Sequence, residues 1–268
     1  MVWNGTKWVE GSKKVWDGKA WSTKASVQFF DGQQWQVKAP QPTAFPRFIS
    51  ASTTRRTTPR HVTVAVPAEA KVTDFIVSVC VADAPSQLLA PAAFLPQVHR
   101  LPSGTTLTVV VWPYDGRPGD VVWQTQGATN ATAMNLVYRG GDVSTAPIAP
   151  VKEIANHAQV NRVPLTSPVE YTSLLLVVAE ATDLTGCAWP DGVLERARSL
   201  GPFGTPAASL LAADTPGAGA SPGQLILDTT VRTAACATIQ IPGINDGQPT
   251  WILSDDVASV LGSTTRLG

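Results

Sequence analysis

Most hydrophobic residues of this chain fall in short runs that proline and glycine interrupt, and few stretches show the 3.6-residue period of an amphipathic helix. From residue 61 onward these runs predict β-strands. Several lack the alternation of a half-exposed strand, which is typical of strands covered on both faces. One short helix is predicted at 255–261, with Ser254 as its N-cap and Gly262 at its end. The predicted strands are 61–66, 74–82, 105–112, 120–126, 133–138, 173–181, 209–213, 224–227 and 234–241.

The first 38 residues follow another pattern, in which an aromatic residue, Asn or Asp, Gly, two variable residues and Trp recur three times. Asn-Gly and Asp-Gly favour two-residue type I′ hairpin turns, because both residues tolerate positive φ. Such a turn at Asn4-Gly5 places Trp3 opposite Thr6 and makes Trp3 and Trp8 diagonal neighbours on one face. The sequence therefore predicts three small hairpins, each with an aromatic pair: Trp3 and Trp8, Trp16 and Trp21, and Phe30 and Trp35.

Such hairpins are too small to be stable alone. A hairpin of about ten residues is marginal in water, and three of them carry too little apolar surface for a domain of their own. We therefore expect these six aromatic residues to be binding residues for assembly, with another copy of the chain or with a larger particle. Two alternatives are a small structural β-layer that uses the indoles as its core, and a row of stacking platforms for sugar rings.

The rest of the chain divides into a linker and a duplicated region. Residues 39–60 are rich in Pro, Ser and Thr, which favours an extended linker. The hydrophobic pattern of residues 61–268 then predicts a β-sandwich region with two related halves, about 61–150 and 151–250, and a short C-terminal helix. The evidence for duplication is four pairs of segments in the same order, about a hundred residues apart: 74–82 and 173–181, 94–98 and 189–193, 106–110 and 208–212, and 134–137 and 237–240. The predicted fold is all-β, with short hairpin repeats followed by a duplicated antiparallel sandwich and little helix.

Charge and cysteine content exclude some classes of partner. The formal net charge is zero, so we expect no nucleic-acid partner. No run of 18 apolar residues occurs, and the N-terminus lacks the pattern of a signal peptide, so we expect neither membrane insertion nor secretion. Cys80, Cys187 and Cys236 lie in or near apolar runs without a Cys-x-x-Cys spacing, which favours free buried thiols.

Candidate chemistry is sparse. No nucleophile elbow, zinc-protease motif or phosphate-binding loop occurs, so we expect no enzyme activity, no catalytic residues, no metal and no cofactor. A hydrolase stays open as an alternative, because paired carboxylates meet only in the fold. Trp112, Tyr114 and Trp189 stand beside turn residues and are candidate glycan-binding residues. The alternative for the tryptophans is that they close the ends of the sandwich core.

The repeats resemble those of minor tail proteins from tailed bacteriophages that infect actinobacteria. The segments 137–142 and 189–196 resemble the β-sandwich that follows in such proteins. The resemblance implies a non-enzymatic structural protein of the virion, at the tail tip or in a tail fibre. It implies a homo-oligomer, expected to be a homotrimer, that contacts other tail proteins and attaches to the host cell, with an envelope glycan as a candidate partner. Two alternatives stay open: a carbohydrate-binding or carbohydrate-active envelope protein, and a capsid decoration protein.

Overall fold

The structure is a computed structural model. It describes six short strands within residues 2–38, and then residues 46–91, 94, 96–117, 119–141, 151–165, 172–201, 207–215 and 223–241. The described residues form twenty strands and no helix, so the all-β prediction is confirmed, while the predicted helix at 255–261 lies outside them. None of the described segments forms a helix with the length and hydropathy that a membrane crossing needs.

The N-terminal repeats form three separate two-stranded antiparallel sheets. The register pairs Trp3 directly with Trp8, with four residues between them, so the predicted two-residue turn that pairs Trp3 with Thr6 is wrong. Each aromatic pair thus occupies directly opposed positions of the register. The strands are β1 (Val2–Trp3), β2 (Trp8–Val9), β3 (Val15–Trp16), β4 (Trp21–Ser22), β5 (Val27–Phe30) and β6 (Trp35–Lys38).

Eight strands build the first half of the sandwich region. They are β7 (Arg47–Thr57), β8 (His61–Ala65), β9 (Phe75–Ala82), β10 (Ser86–Ala90), β11 (Gln97–Arg100), β12 (Thr106–Pro113), β13 (Asp120–Thr125) and β14 (Asn130–Arg139). A five-stranded antiparallel sheet has the order β11-β12-β9-β14-β7, and a three-stranded sheet has the order β10-β13-β8. The two sheets pack through a core that includes Val62, Ile76, Val110 and Trp123.

Six strands build the second half: β15 (Val151–Pro164), β16 (Thr172–Ala181), β17 (Cys187–Ala188), β18 (Leu194–Ser199), β19 (Ala207–Thr215) and β20 (Gln224–Ile241). Their order, β18-β19-β16-β20-β15, repeats that of the five-stranded sheet. The first part of β20 pairs with β17 and with the end of β15, as β13 pairs with β10 and β8. This part folds over the sheet, since Leu225 and Leu227 share a core with Val177 and Leu211. The matched strand orders confirm the predicted duplication.

The two halves pack against each other through equivalent faces. Alternate residues of β9 and β16 meet in one core, and they are 99 positions apart in the chain: Phe75 and Leu174, Val77 and Leu176, Val79 and Val178. Each half therefore contributes the equivalent face to the contact between them, as in the isologous interface of a symmetric dimer. Because each inner sheet is covered on both faces, β9 is buried along its whole length and β16 is buried at residues 173–180.

The predicted linker and the predicted break in the last strand are both corrected. Residues 47–57 are not a linker, because they form β7, which pairs with β14 at the edge of the five-stranded sheet. Residues 44–243 form one compact unit, so the sandwich region begins well before residue 61. The prediction of separate strands at 224–227 and 234–241 is also wrong, since β20 runs through both.

Candidate functional site

The predicted assembly residues occupy the inner ends of the three hairpins. Each pair stands directly opposite in the register: Trp3 and Trp8, Trp16 and Trp21, Phe30 and Trp35. Among the described residues, each hairpin strand is hydrogen-bonded only to its own partner strand. In the register, the three hairpins therefore place their aromatic residues as three directly opposed pairs.

The predicted glycan-binding residues are dispersed. Trp112 is 5% exposed and stacks on Phe94 at a centroid distance of 5.6 Å, within the core of the first half. Tyr114 packs partly buried against that same core. Trp189 lies against the outer core of the second half, where its Nε1 donates to Glu195 Oε2 at 2.9 Å. The structure does not bring these rings together, and a glycan role for them stays a prediction.

The described residues hold no group of three His, Cys, Asp or Glu side chains that could bind a metal ion. None of the three cysteines forms a disulfide, and Cys80 and Cys236 are buried while Cys187 is partly exposed. Burial raises the pKa of the Cys80 thiol to about 12, despite a hydrogen bond to Ser86. Cys80 and Cys236 therefore serve as small core residues.

A polar cleft of about 340 Å³ lies between the two halves. It begins where the apolar interface ends, at the last inward position of β9 and β16, which is Val81 in one half and Glu180 in the other. On one side Thr132 is paired in register with both Val81 and Arg55. On the other side Glu180 is paired with Thr233 and with Ala208 of β19. The cleft exists because equivalent positions of the duplicate carry different side chains.

Glu180 anchors the cleft floor. It is 5% exposed, and its carboxylate accepts four hydrogen bonds from both halves. Burial alone raises the pKa of Glu180, but these hydrogen bonds outweigh it and hold the pKa below its ordinary value. Glu180 is therefore an ionised group fixed in place. The donors are Ser103 Oγ at 2.5 Å, Thr105 Oγ1, Arg232 Nη2 at 2.7 Å and Thr233 Oγ1 at 2.7 Å.

Arg55 crosses the cleft from the opposite side. Its Nη2 donates to the carbonyl oxygens of Ser199 at 3.2 Å and Ala208 at 2.6 Å, which tie β7 to the second half. Its Nε and Nη1 are buried and have no partner among the described residues. Burial lowers the pKa of Arg55, as expected for a cation removed from water without a carboxylate beside it.

Two further polar atoms of the cleft lack partners within the described part of the chain. Thr132 is 1% exposed, and its Oγ1 makes no hydrogen bond. Asn130 Oδ1 is likewise buried and unpaired. Buried polar atoms are nearly always hydrogen-bonded in native proteins, so unpaired donors and acceptors meeting in one cleft make it the candidate binding site.

No known family matches. Neither the protein-family models, nor the curated proteins, nor the solved structures include a significant match to this chain. The fold and the cleft thus rest on this chain alone, and the resemblance to phage minor tail proteins remains a prediction.

Sequence reasoning missed the cleft. Its strongest signal was Glu180, a carboxylate within the apolar run of 173–181, where a charge must find buried partners. Arg55 falls within the predicted linker, so its place in the cleft has no signal in the sequence. The donors to Glu180 come from residues scattered over both halves, and only the packing of the halves brings them together.

Proposed function

We propose that this chain is a non-enzymatic structural protein of a bacteriophage tail, a tail-tip or fibre component. Its hairpin segment assembles with other copies, as a trimer, and with neighbouring tail proteins. Its sandwich region, with both halves, is displayed for attachment to the surface of the host cell.

The observation that supports this proposal best is the pairing of aromatic residues in three separate two-stranded sheets. A two-stranded sheet of this size cannot bury an aromatic pair within itself. Neighbouring copies of the chain can cover such pairs, and three separate sheets offer three such pairs for association. Repetition suits a fibre or a tail, in which the same contact is made several times.

The chemistry of the cleft supports a role without catalysis. Glycoside hydrolysis needs one carboxylic acid that is protonated at working pH. The pKa of Glu180 is held low by its hydrogen-bond donors despite burial, which makes it a poor proton donor. The second carboxylate of the cleft, Asp83, accepts hydrogen bonds from the backbone N–H groups of Thr129 and Asn130 and so serves to fix a turn.

Sedimentation of the full chain tests the proposal. The intact protein should sediment as an oligomer at micromolar concentration. The full-length triple variant Trp8→Ser, Trp21→Ser and Trp35→Ser should sediment as a monomer, because the three substitutions together remove one aromatic ring from each pair. Its far-ultraviolet circular dichroism should be unchanged, since residues 44–243 form a compact unit of their own.

A matched control replaces three lysines of the same segment, Lys7→Ser, Lys13→Ser and Lys24→Ser, and should leave the oligomer intact. If the unmodified chain is a monomer, or if the tryptophan variant assembles as well as the control, self-assembly through the hairpins is excluded.

A further inference from the structure

We infer that the cleft between the two halves is a binding site for a neutral saccharide of one or two rings. The ligand's hydroxyl groups pair with the buried polar atoms that the halves leave without partners. This inference names a ligand for the proposed attachment role and rests on that proposed function. The geometry of the cleft is what supports the site itself.

The unpaired atoms call for a ligand that both donates and accepts hydrogen bonds. Arg55 offers two buried N–H donors, Nε and Nη1, whereas Asn130 Oδ1 can only accept. The Thr132 hydroxyl can do either. An unprotonated anion such as sulfate only accepts, so it leaves Asn130 unpaired, and an ammonium ligand only donates, so it leaves Arg55 unpaired. A sugar hydroxyl does both, and neighbouring hydroxyls present such groups in series.

The charges of the cleft favour a neutral ligand over an anion. Two arginines, Arg55 and Arg232, and two carboxylates, Asp83 and Glu180, line it. Arg232 is already engaged with Glu180 at 2.7 Å. An anion drawn to Arg55 therefore meets two carboxylates in the same small volume, while a neutral polyhydroxyl ligand meets no net repulsion.

The size and position of the unpaired groups also fit a small ligand. A volume of about 340 Å³ is at the lower end of small-molecule sites and holds roughly one or two sugar rings. Thr132 and Arg55 are directly paired on neighbouring strands, and both line the cleft. One sheet carries both residues, and Arg55 is also hydrogen-bonded to the second half, which gives a preformed site with little ordering on binding.

The test measures binding to the full chain by isothermal titration calorimetry and saturation-transfer NMR. The probes are glucose, galactose, mannose, arabinose, maltose and lactose, with inorganic phosphate and glucuronate as anionic probes. We expect at least one neutral sugar to bind with a millimolar or tighter dissociation constant. The variant Thr132→Val, which keeps the side-chain shape and removes only the unpaired hydroxyl, should weaken that binding roughly five- to tenfold.

The matched control is Thr215→Val. Thr215 is also a buried strand threonine whose Oγ1 has no partner among the described residues, but it lies at the end of β19 away from Ala207 and Ala208, which line the cleft. It should leave sugar binding unchanged. Absence of sugar binding, equal effects of the two substitutions, or binding of the anionic probes alone overturns the inference.

Sedimentation of the same samples separates this test from that of the assembly proposal. Sugar binding that fails while the oligomer persists overturns the saccharide site alone. If the chain binds sugar but sediments as a monomer, the assembly proposal is overturned and the saccharide site is unaffected.

Discussion

The Tyr138 hydroxyl donates a hydrogen bond to Asp214 Oδ2 at 3.0 Å and so links the two halves of the sandwich region inside their shared core. Tyr138 is fully buried and Asp214 is 1% exposed. Arg196 Nε completes the group by donating to Asp214 Oδ1 at 2.8 Å. Burial raises the pKa of Asp214 even though Arg196 and Tyr138 favour the ionised form. The duplicate halves are thus held in register by a polar contact as well as by apolar packing.

Removing this hydroxyl should destabilise the fold. Tyr138→Phe keeps the ring, including its edge-to-face contact with Phe48 at 5.8 Å, and leaves one buried lone pair of Asp214 unsatisfied. We expect a loss of about 1–3 kcal/mol in the free energy of unfolding, measured by urea denaturation. Tyr114→Phe is the control, since Tyr114 is only partly buried and its hydroxyl bonds to no described residue. Equal stability changes in the two variants would contradict a link between the halves.

The strands that could be predicted from the sequence are those buried on both faces. The runs 74–82 and 173–181 are almost wholly apolar, and they are the central strands β9 and β16. Because these two runs recur about a hundred residues apart, they are the main sequence evidence for the duplication. The matching strand orders follow from it, because equivalent segments fold in the same way.

The edge strands could not be predicted in the same way. β7 reads Arg, Ser and Thr through most of its length, since it pairs with a single neighbour and is only half covered. Its neighbouring prolines and arginines favour a linker when local composition alone is considered. The cleft escapes prediction for a related reason, because Arg55 lies on this edge strand and lines the same cleft as Glu180 only once the two distant halves pack together.

Stability should depend on pH through Glu180. Its pKa in the folded chain lies below the ordinary value of 4.5, because hydrogen bonds outweigh burial. The folded chain therefore binds fewer protons than the unfolded chain near that pH. The contribution of Glu180 is fully present above about pH 4.5 and is lost as the pH falls through the folded-state pKa.

The measurement compares urea unfolding of the wild-type chain and Glu180→Gln between pH 7 and pH 3. The stability advantage of the wild type should be largest at pH 7 and should shrink below pH 4.5. Asp120→Asn removes an exposed carboxylate outside the cleft and is the control. A wild-type advantage that is constant over this range would exclude a lowered pKa at Glu180.

The thiol of Cys187 should react slowly in the folded chain. Burial and, after it, the nearby Glu195 carboxylate raise its pKa to about 11, against the opposing Arg198. Glu195→Gln removes that negative charge, so the thiolate fraction rises and labelling by a disulfide reagent at pH 8 should accelerate roughly three- to tenfold. Asp191→Asn, at a carboxylate that does not act on the thiol, should leave the rate unchanged. Acceleration by both variants would point to local opening instead.

Trp112 should act as a core residue. Its ring is 5% exposed and stacks on Phe94, so Trp112→Ala leaves a large cavity. We expect a loss of about 3–5 kcal/mol in the free energy of unfolding. Trp189→Ala should cost clearly less, since that side chain is only partly buried. A Trp112→Ala chain of unchanged stability that loses binding to a glycan array would instead favour the stacking role.

Phe48 distinguishes a strand from a linker at residues 47–57. Its ring packs against Tyr138, and the Arg196 guanidinium lies 5.0 Å from the ring centroid, so β7 contributes to the contact between the halves. Phe48→Ala should lower the free energy of unfolding by about 2–3 kcal/mol, less than a fully buried phenylalanine because the ring is partly exposed. Val72→Ala, at a site 60% exposed, should change stability by less than about 0.5 kcal/mol. A linker side chain has no packing to lose. Similar changes in the free energy of unfolding for the two variants would therefore indicate that residues 47–57 are a linker, as their composition predicts.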